Sequence, residues 1–169
     1  MSIELPILGL LNEKPVHGYD LKRQIEAILG FSWHPSYGSL YPMLRKLEER
    51  GLVTKSAGTA AGRQKHIYSI TSKGQARLRE LLLNGEDGDT LRLRMLFFDQ
   101  LSADERKSVL TAGKKRQVET LERLEAERDR RAEKLKKYQR ILLDHGLEGL
   151  RREIDWLDGL IREEETSRE

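Results

Sequence analysis

The side chains in this sequence that could do chemistry are cations, hydroxyls and aromatic rings, gathered mainly in one short segment. Ser36, Tyr37, Gly38, Ser39, Tyr41, Pro42, Arg45 and Lys46 interleave with Leu40, Met43, Leu44 and Leu47. The four apolar residues recur at helical spacing and form one stripe. That leaves Gly38, Pro42 and Arg45 on the opposite side, flanked by Tyr41 and Lys46. Such a side suits a phosphodiester duplex. Arg45 can fork onto a guanine edge or a phosphate. Tyr37 and Tyr41 offer hydroxyls to phosphates and rings to sugars or thymine methyl groups. Glycine and serine near the helix start let the backbone approach a phosphate, which a helix N-terminus attracts. Further along, Arg63, Lys65 and His66 add cations for the neighbouring backbone or a minor groove. The plain alternative is the solvated side of a small domain, with Tyr37 and Tyr41 half-buried in packing and Ser39 only a cap. Helix, basic hairpin and a positive lobe together favour DNA.

Other chemistries lack their residues. There is no cysteine, so disulfides, thiolate metal sites and cysteine nucleophiles are excluded. His17, His34, His66 and His145 form no closely spaced pair, and no metal site or other cofactor is expected. No nucleophile elbow, Walker-type loop or dinucleotide-binding glycine pattern occurs, so the chain is not expected to be an enzyme. Trp33, Phe97, Phe98 and Trp156 read first as packing residues and second as lining for a flat apolar effector pocket. No residue is assigned to an effector.

The elements that must hold the cationic segment follow from periodicity. Ile3, Ile7, Leu10 and Leu11 lie at helical spacing in a segment ending near Asn12 to Pro15. A second amphipathic stretch runs from His17 to Leu29, with Gly30 as its stop. The third helix begins after Pro35-Ser36 and stops at Gly51. Its cap is Ser36 or, alternatively, Ser39, which would set Pro42 in the tolerated first turn. From Leu52 the period changes to two short β-prone runs, Leu52 to Lys55 and His66 to Thr71, around a flexible loop from Gly58 to Arg63. Thr71 then caps a fourth helix ending near Leu83. Three helices, a two-stranded ribbon and a further helix make a winged helix-turn-helix pattern.

After a break at Asn84 to Asp89 the chain is almost wholly helix-forming. A segment from Thr90 to Gln100 precedes Ser102-Ala103-Asp104-Glu105, which matches a capping box. No strong breaker follows until His145-Gly146, so one helix of roughly 40 residues is expected, then a last helix from Leu147 to Glu165. Between Glu122 and Lys137, 12 of 16 residues are charged, which reads as a solvated helix face rather than a second nucleic-acid site. So long a helix cannot bury its apolar residues against one short neighbour, so a homodimer across a two-fold axis is expected, with an intramolecular hairpin as the alternative.

The fold class is therefore mainly α with a small β-hairpin. A winged helix-turn-helix domain (1–83) and a linker (84–89) precede a helical dimerisation domain (90–169). The 169 residues include 31 Lys/Arg and 28 Asp/Glu, unevenly spread: residues 1–83 hold 12 basic against 7 acidic side chains and the remainder 19 against 21. A basic first half suits a polyanion. The longest apolar stretch, Ile3 to Leu11, is far too short to span a membrane, and its start lacks the basic region of a secretory signal. A cytoplasmic protein with no membrane partner is expected.

Several ordered motifs carry a resemblance. Ile7-Leu8-Gly9-Leu10-Leu11, His17-Gly18-Tyr19-Asp20-Leu21, Gly38-Ser39-Leu40-Tyr41-Pro42 with Leu44-Arg45-Lys46-Leu47-Glu48, Gly51-Leu52-Val53, and Gly62-Arg63 leading to Tyr68-Ser69-Ile70-Thr71 resemble the PadR family of bacterial transcriptional regulators over residues 3–80. The second half resembles, by pattern, the larger helical dimerisation region of one PadR subgroup. The resemblance implies a homodimeric repressor that leaves its operator on arrival of a small effector or another signal. It places Ser36 to Arg45 in the major groove and the wing around Arg63 and Lys65 on adjacent backbone. Gln64 stands where the family often has proline after Gly-Arg. The competing reading is a winged-helix module that docks a protein and binds no DNA.

Overall fold

Leu8, Leu21, Ile25, Leu40, Leu44 and Leu47 are all sealed from solvent, and they set the arrangement of the first half of the molecule. The structure, a computed structural model, describes residues 3–29, 37–60, 63–85 and 88–166. In chain order these form α1 (Glu4–Glu13), β1 (Val16–His17), α2 (Gly18–Leu29), α3 (Tyr37–Glu49), β2 (Val53–Ala60), β3 (Arg63–Ile70), α4 (Ser72–Asn84), α5 (Gly88–Met95), a short 3-10 turn (Phe98–Gln100), α6 (Ala103–Arg131) and α7 (Lys137–Thr166). Among the described residues no helix is long and apolar enough to cross a membrane. The chain divides into two compact units, Met1–Gly85 with Arg92–Phe97, and Glu86–Leu91 with Phe98–Glu169.

In the first unit α1 is buried from Glu4 to Leu11 because it touches α2, α3, α4 and β3. One acid lies among these apolar residues. Glu4 accepts hydrogen bonds from Arg50 Nη1 at 3.1 Å and Arg77 Nε at 3.0 Å, which compensates its removal from water. The sheet has three strands in the order β1-β3-β2, all antiparallel, where the sequence suggested a two-stranded ribbon. Val16 and His17 pair with Tyr68 and Ile67, so His17 belongs to a strand and α2 starts one residue later. Two residues are too few to show a period of two, which hid this strand. Thr71 caps α4 as its position suggested, accepting from Gly74 N–H at 3.0 Å.

The Thr90–Gln100 segment is not one helix. Apolar residues point all round it, more than a straight helix on one surface can bury, and the chain turns at Leu96-Phe97 instead. Phe97 then lies so close to Gly9 that a Cβ on Gly9 would come within 2.4 Å of its ring. Arg94, 1% exposed, donates from Nη1 to the carbonyls of Leu82 and Leu83 at the end of α4.

The second unit corrects the expected long helix. Ser102 and Glu105 form the capping box that starts α6, but α6 ends at Arg131, and the chain reverses over Ala132–Lys136 into α7. Three arginines in the last turn of α6 favour its carbonyl end, and few apolar residues beyond it could hold a longer helix down. Gln139 Oε1 accepts from Lys136 N–H at 2.9 Å and so caps the start of α7. Gly146 does not break α7. Glycine costs about 1 kcal/mol in a helix, less than burying Leu147 and Leu157 returns. Ion pairs Arg106–Glu164, Lys114–Asp158 and Arg151–Glu125 run along the antiparallel pair.

Candidate nucleic-acid interface

α3 divides cleanly into two sides. Leu40, Leu44 and Leu47 are fully buried and Met43 partly so, while Tyr41, Pro42, Arg45 and Lys46 are exposed and Ser39 is half-buried. Tyr37 and Gly38 form the first turn, and Ser36 lies outside the described residues. The helix begins ahead of Ser39, so Ser39 does not cap it and Pro42 sits inside it, beyond the first turn. Proline has no N–H to return to the carbonyl four residues back, so the carbonyl of Gly38 lacks that intrahelical partner.

β2, α1 and α2 pack against this helix. Tyr41 leans on Gly18, where a Cβ would meet its Cε1 at 3.2 Å and the Tyr68 ring at 3.2 Å. Burial, with Glu48 and Tyr41 nearby, pushes the Tyr68 phenol above its usual range. Thus Gly18 admits the two rings that steady the exposed edge.

The junction between α3 and the ribbon is tighter still. Gly51, at φ 69°, takes the left-handed conformation, with its N–H donating to Glu48 O and Leu52 N–H to Leu47 O, each at 2.9 Å. This is a Schellman turn, and it fixes where β2 leaves α3. Thr71 Oγ1 donates to the carbonyl of Gly51 at 2.7 Å, and Lys73 Nζ to that of Arg50 at 3.0 Å. Gly74 lies against the Leu52 carbonyl, where a Cβ would come within 2.1 Å.

The ribbon carries the remaining expected site residues on β3. Arg63 pairs with Ala60, Lys65 with Gly58 and His66 with Ala57, and the His66 side chain is exposed. The structure therefore collects Tyr37, Gly38, Ser39, Tyr41, Pro42, Arg45 and Lys46 on one helix, and Arg63, Lys65 and His66 on one strand of the same unit. The sequence reading passed over Lys55, which is exposed on β2 and lies opposite Tyr68. Its signal was present, a cation in a β-prone run directly before the loop. Trp33 lies outside the described residues; Phe97 and Phe98 are buried, and Trp156 is 42% exposed.

Residues 7–80 match the model of the transcriptional regulator PadR-like family. A Mycobacterium tuberculosis protein, transcriptional regulator Rv3488, is 32% identical over 79 residues, which cover 47% of this chain and 71% of that protein. The chain belongs to the PadR-like family. Residues 89–163 match a second family model, virulence activator alpha C-term. Among PadR relatives, the negative transcriptional regulator PadR of Bacillus subtilis is 28% identical over 61% of this chain, which spans 60% of that relative's length. The structure of Bacillus subtilis PadR in complex with operator DNA aligns with a TM-score of 0.46 and 22% identity, over 96% of this chain and 97% of that one.

Proposed function

We propose that this chain is a sequence-specific DNA-binding transcriptional regulator, a homodimeric repressor that an effector releases from its operator. Residues 1–83 are its DNA-binding domain, 84–89 a linker and 90–169 its dimerisation domain. The observation that carries this reading is the exposed edge of α3, with Tyr41, Pro42, Arg45 and Lys46 outside and Leu40, Leu44 and Leu47 inside. Membership of the PadR-like family supports it. Arg45 reads base edges, Tyr37, Ser36, Gly38, Ser39, Tyr41 and Lys46 set the helix on the phosphates, and Arg63, Lys65 and His66 engage the adjoining backbone.

The test is an electrophoretic titration against fragments of the source genome at several salt concentrations. Binding falls steeply with salt as phosphate counterions are released. Arg45→Ala weakens binding by about 1–3 kcal/mol and blurs preference at one or two base positions, whereas Lys65→Ala weakens all duplexes alike and lowers the salt slope by about 1. Absence of duplex binding at low salt would remove this reading in favour of a protein-docking module.

A further inference from the structure

The reversal that joins α6 to α7 is fixed by its own hydrogen bonds. The Arg131 carbonyl accepts from Lys134 N–H at 2.8 Å and from Leu135 N–H at 3.1 Å. Arg140 Nη2 donates to the Ala132 carbonyl at 2.9 Å, and Gln139 Oε1 takes the Lys136 N–H at 2.9 Å. Main chain and side chains thus tie the end of α6 to the start of α7.

A cleft of about 400 Å³ opens on this turn, lined by Arg131, Lys134, Leu135 and Gln139. What the polar members have left to offer is of one kind. Arg131 holds Glu127 through Nε, so its Nη groups remain as donors. Lys134 is exposed and, among the described residues, meets no carboxylate. The one side-chain acceptor in the lining, Gln139 Oε1, is occupied by Lys136, so the amide offers Nε2. Leu135 is half-buried and adds apolar surface. Nearby acids do not balance the cations. Glu127 is shared by Arg130 and Arg131, and Asp129 is held by Arg128. Residues 127–140 hold seven Lys/Arg against three Asp/Glu.

A recess lined by one sign of charge concentrates its field and draws in the opposite sign. A guanidinium takes two oxygens of a carboxylate or phosphate at once, while an ammonium acts as a point charge beside it. The volume falls within the roughly 300–1,000 Å³ of small-molecule sites. We propose that this cleft binds a small organic oxyanion, a phosphate monoester or a carboxylate. Its charged group lies between Arg131 and Lys134, with Gln139 Nε2 donating to a further oxygen and the apolar part resting on Leu135. Such a ligand bridges α6 and α7 and stiffens the hairpin at its turn. The site is independent of the DNA-binding reading and stands if that reading fails.

The test titrates the full chain with phenyl phosphate, with benzoate and with neutral benzyl alcohol at constant ionic strength, followed by amide chemical shifts and calorimetry. Saturable single-site binding of at least one anion is expected, with none of the alcohol and the largest shifts confined to residues 131–140. The tighter of the two anions identifies the class as phosphate or carboxylate. Lys134→Gln, which removes no contact within the fold, raises the dissociation constant about tenfold or more, because a charge-assisted hydrogen bond is lost. Lys134→Arg retains binding, and Lys115→Gln, an exposed cation of α6 outside the cleft, leaves it unchanged. Binding of neither anion, shifts spread evenly over the cations of both helices, or equal affinity in Lys134→Gln overturns the proposal. So does a short DNA duplex that moves these amides where neither small anion does, which would make the turn a nucleic-acid contact instead.

Discussion

The unit built around α1 and the α6–α7 hairpin are stabilised by different means. In the first, α1 is buried from Glu4 to Leu11, and α2 and α3 each turn at least two fully buried apolar residues inward. In the second, two helices of 29 and 30 residues bury only Val109, Leu110, Gly113, Leu147 and Leu157 between them, and ion pairs line the seam. Exposed ion pairs contribute about 0–1 kcal/mol each, against about 1.5–3 kcal/mol for a fully buried aliphatic side chain. The first unit is thus locked by shape, and the second is held more loosely with apolar surface left over.

The sharpest way to break this contrast is to cut the core of the first unit. Leu44→Ala should lower unfolding free energy by about 2–5 kcal/mol in urea melts, since a sealed site collapses poorly. A loss near zero would mean that α3 is not packed as described. Glu4→Ala comes next, expected to cost about 1–3 kcal/mol because Arg50 and Arg77 lose a shared, nearly buried acceptor. Glu4→Gln should restore part of this. In the hairpin, Lys107→Ala removes an ion pair to Glu165 whose two side chains are both substantially exposed, and melts should move by less than about 0.5 kcal/mol. A larger change would show that the charged seam is more than a solvated border.

Alkaline pH gives the gentlest probe. The folded state holds Tyr68 as a phenol, with its pKa above the usual value, first through burial and then through Glu48 and Tyr41. The folded form therefore binds this proton more tightly than the unfolded chain. That stabilisation is fully present below the ordinary tyrosine pKa of about 10 and is lost as pH rises through the raised folded value. Ultraviolet titration should show one tyrosine ionising late, and Tyr68→Phe should flatten the alkaline loss of stability.

The parts legible in the sequence were those written locally. Thr71 and the Ser102–Glu105 pair act within three residues of themselves, and the α3 stripe repeats within two turns, so cap and face could be read directly. The missed features join distant residues. β1 exists only because β3 lies beside it, Gly9 is crowded only by Phe97, and Glu4 finds its partners 46 and 73 positions away. The reversal after Arg131 was hidden by the opposite problem. The local rules gave more weight to His145-Gly146 as a breaker than to a charged run without one, and packing decided otherwise.

The hydrogen-bonded knot at Arg50–Leu52 restricts how this molecule can adapt. With α3, the root of β2 and the cap of α4 tied at shared carbonyls, α3 cannot tilt without dragging the base of the ribbon along. Displacing any one of α3, the root of β2 and the start of α4 therefore strains the hydrogen bonds that hold the other two. On the DNA-binding reading proposed above, a change of sequence preference is expected to come from exchanging exposed α3 residues such as Arg45 and Lys46, with the junction behind them kept as rigid as a welded bracket.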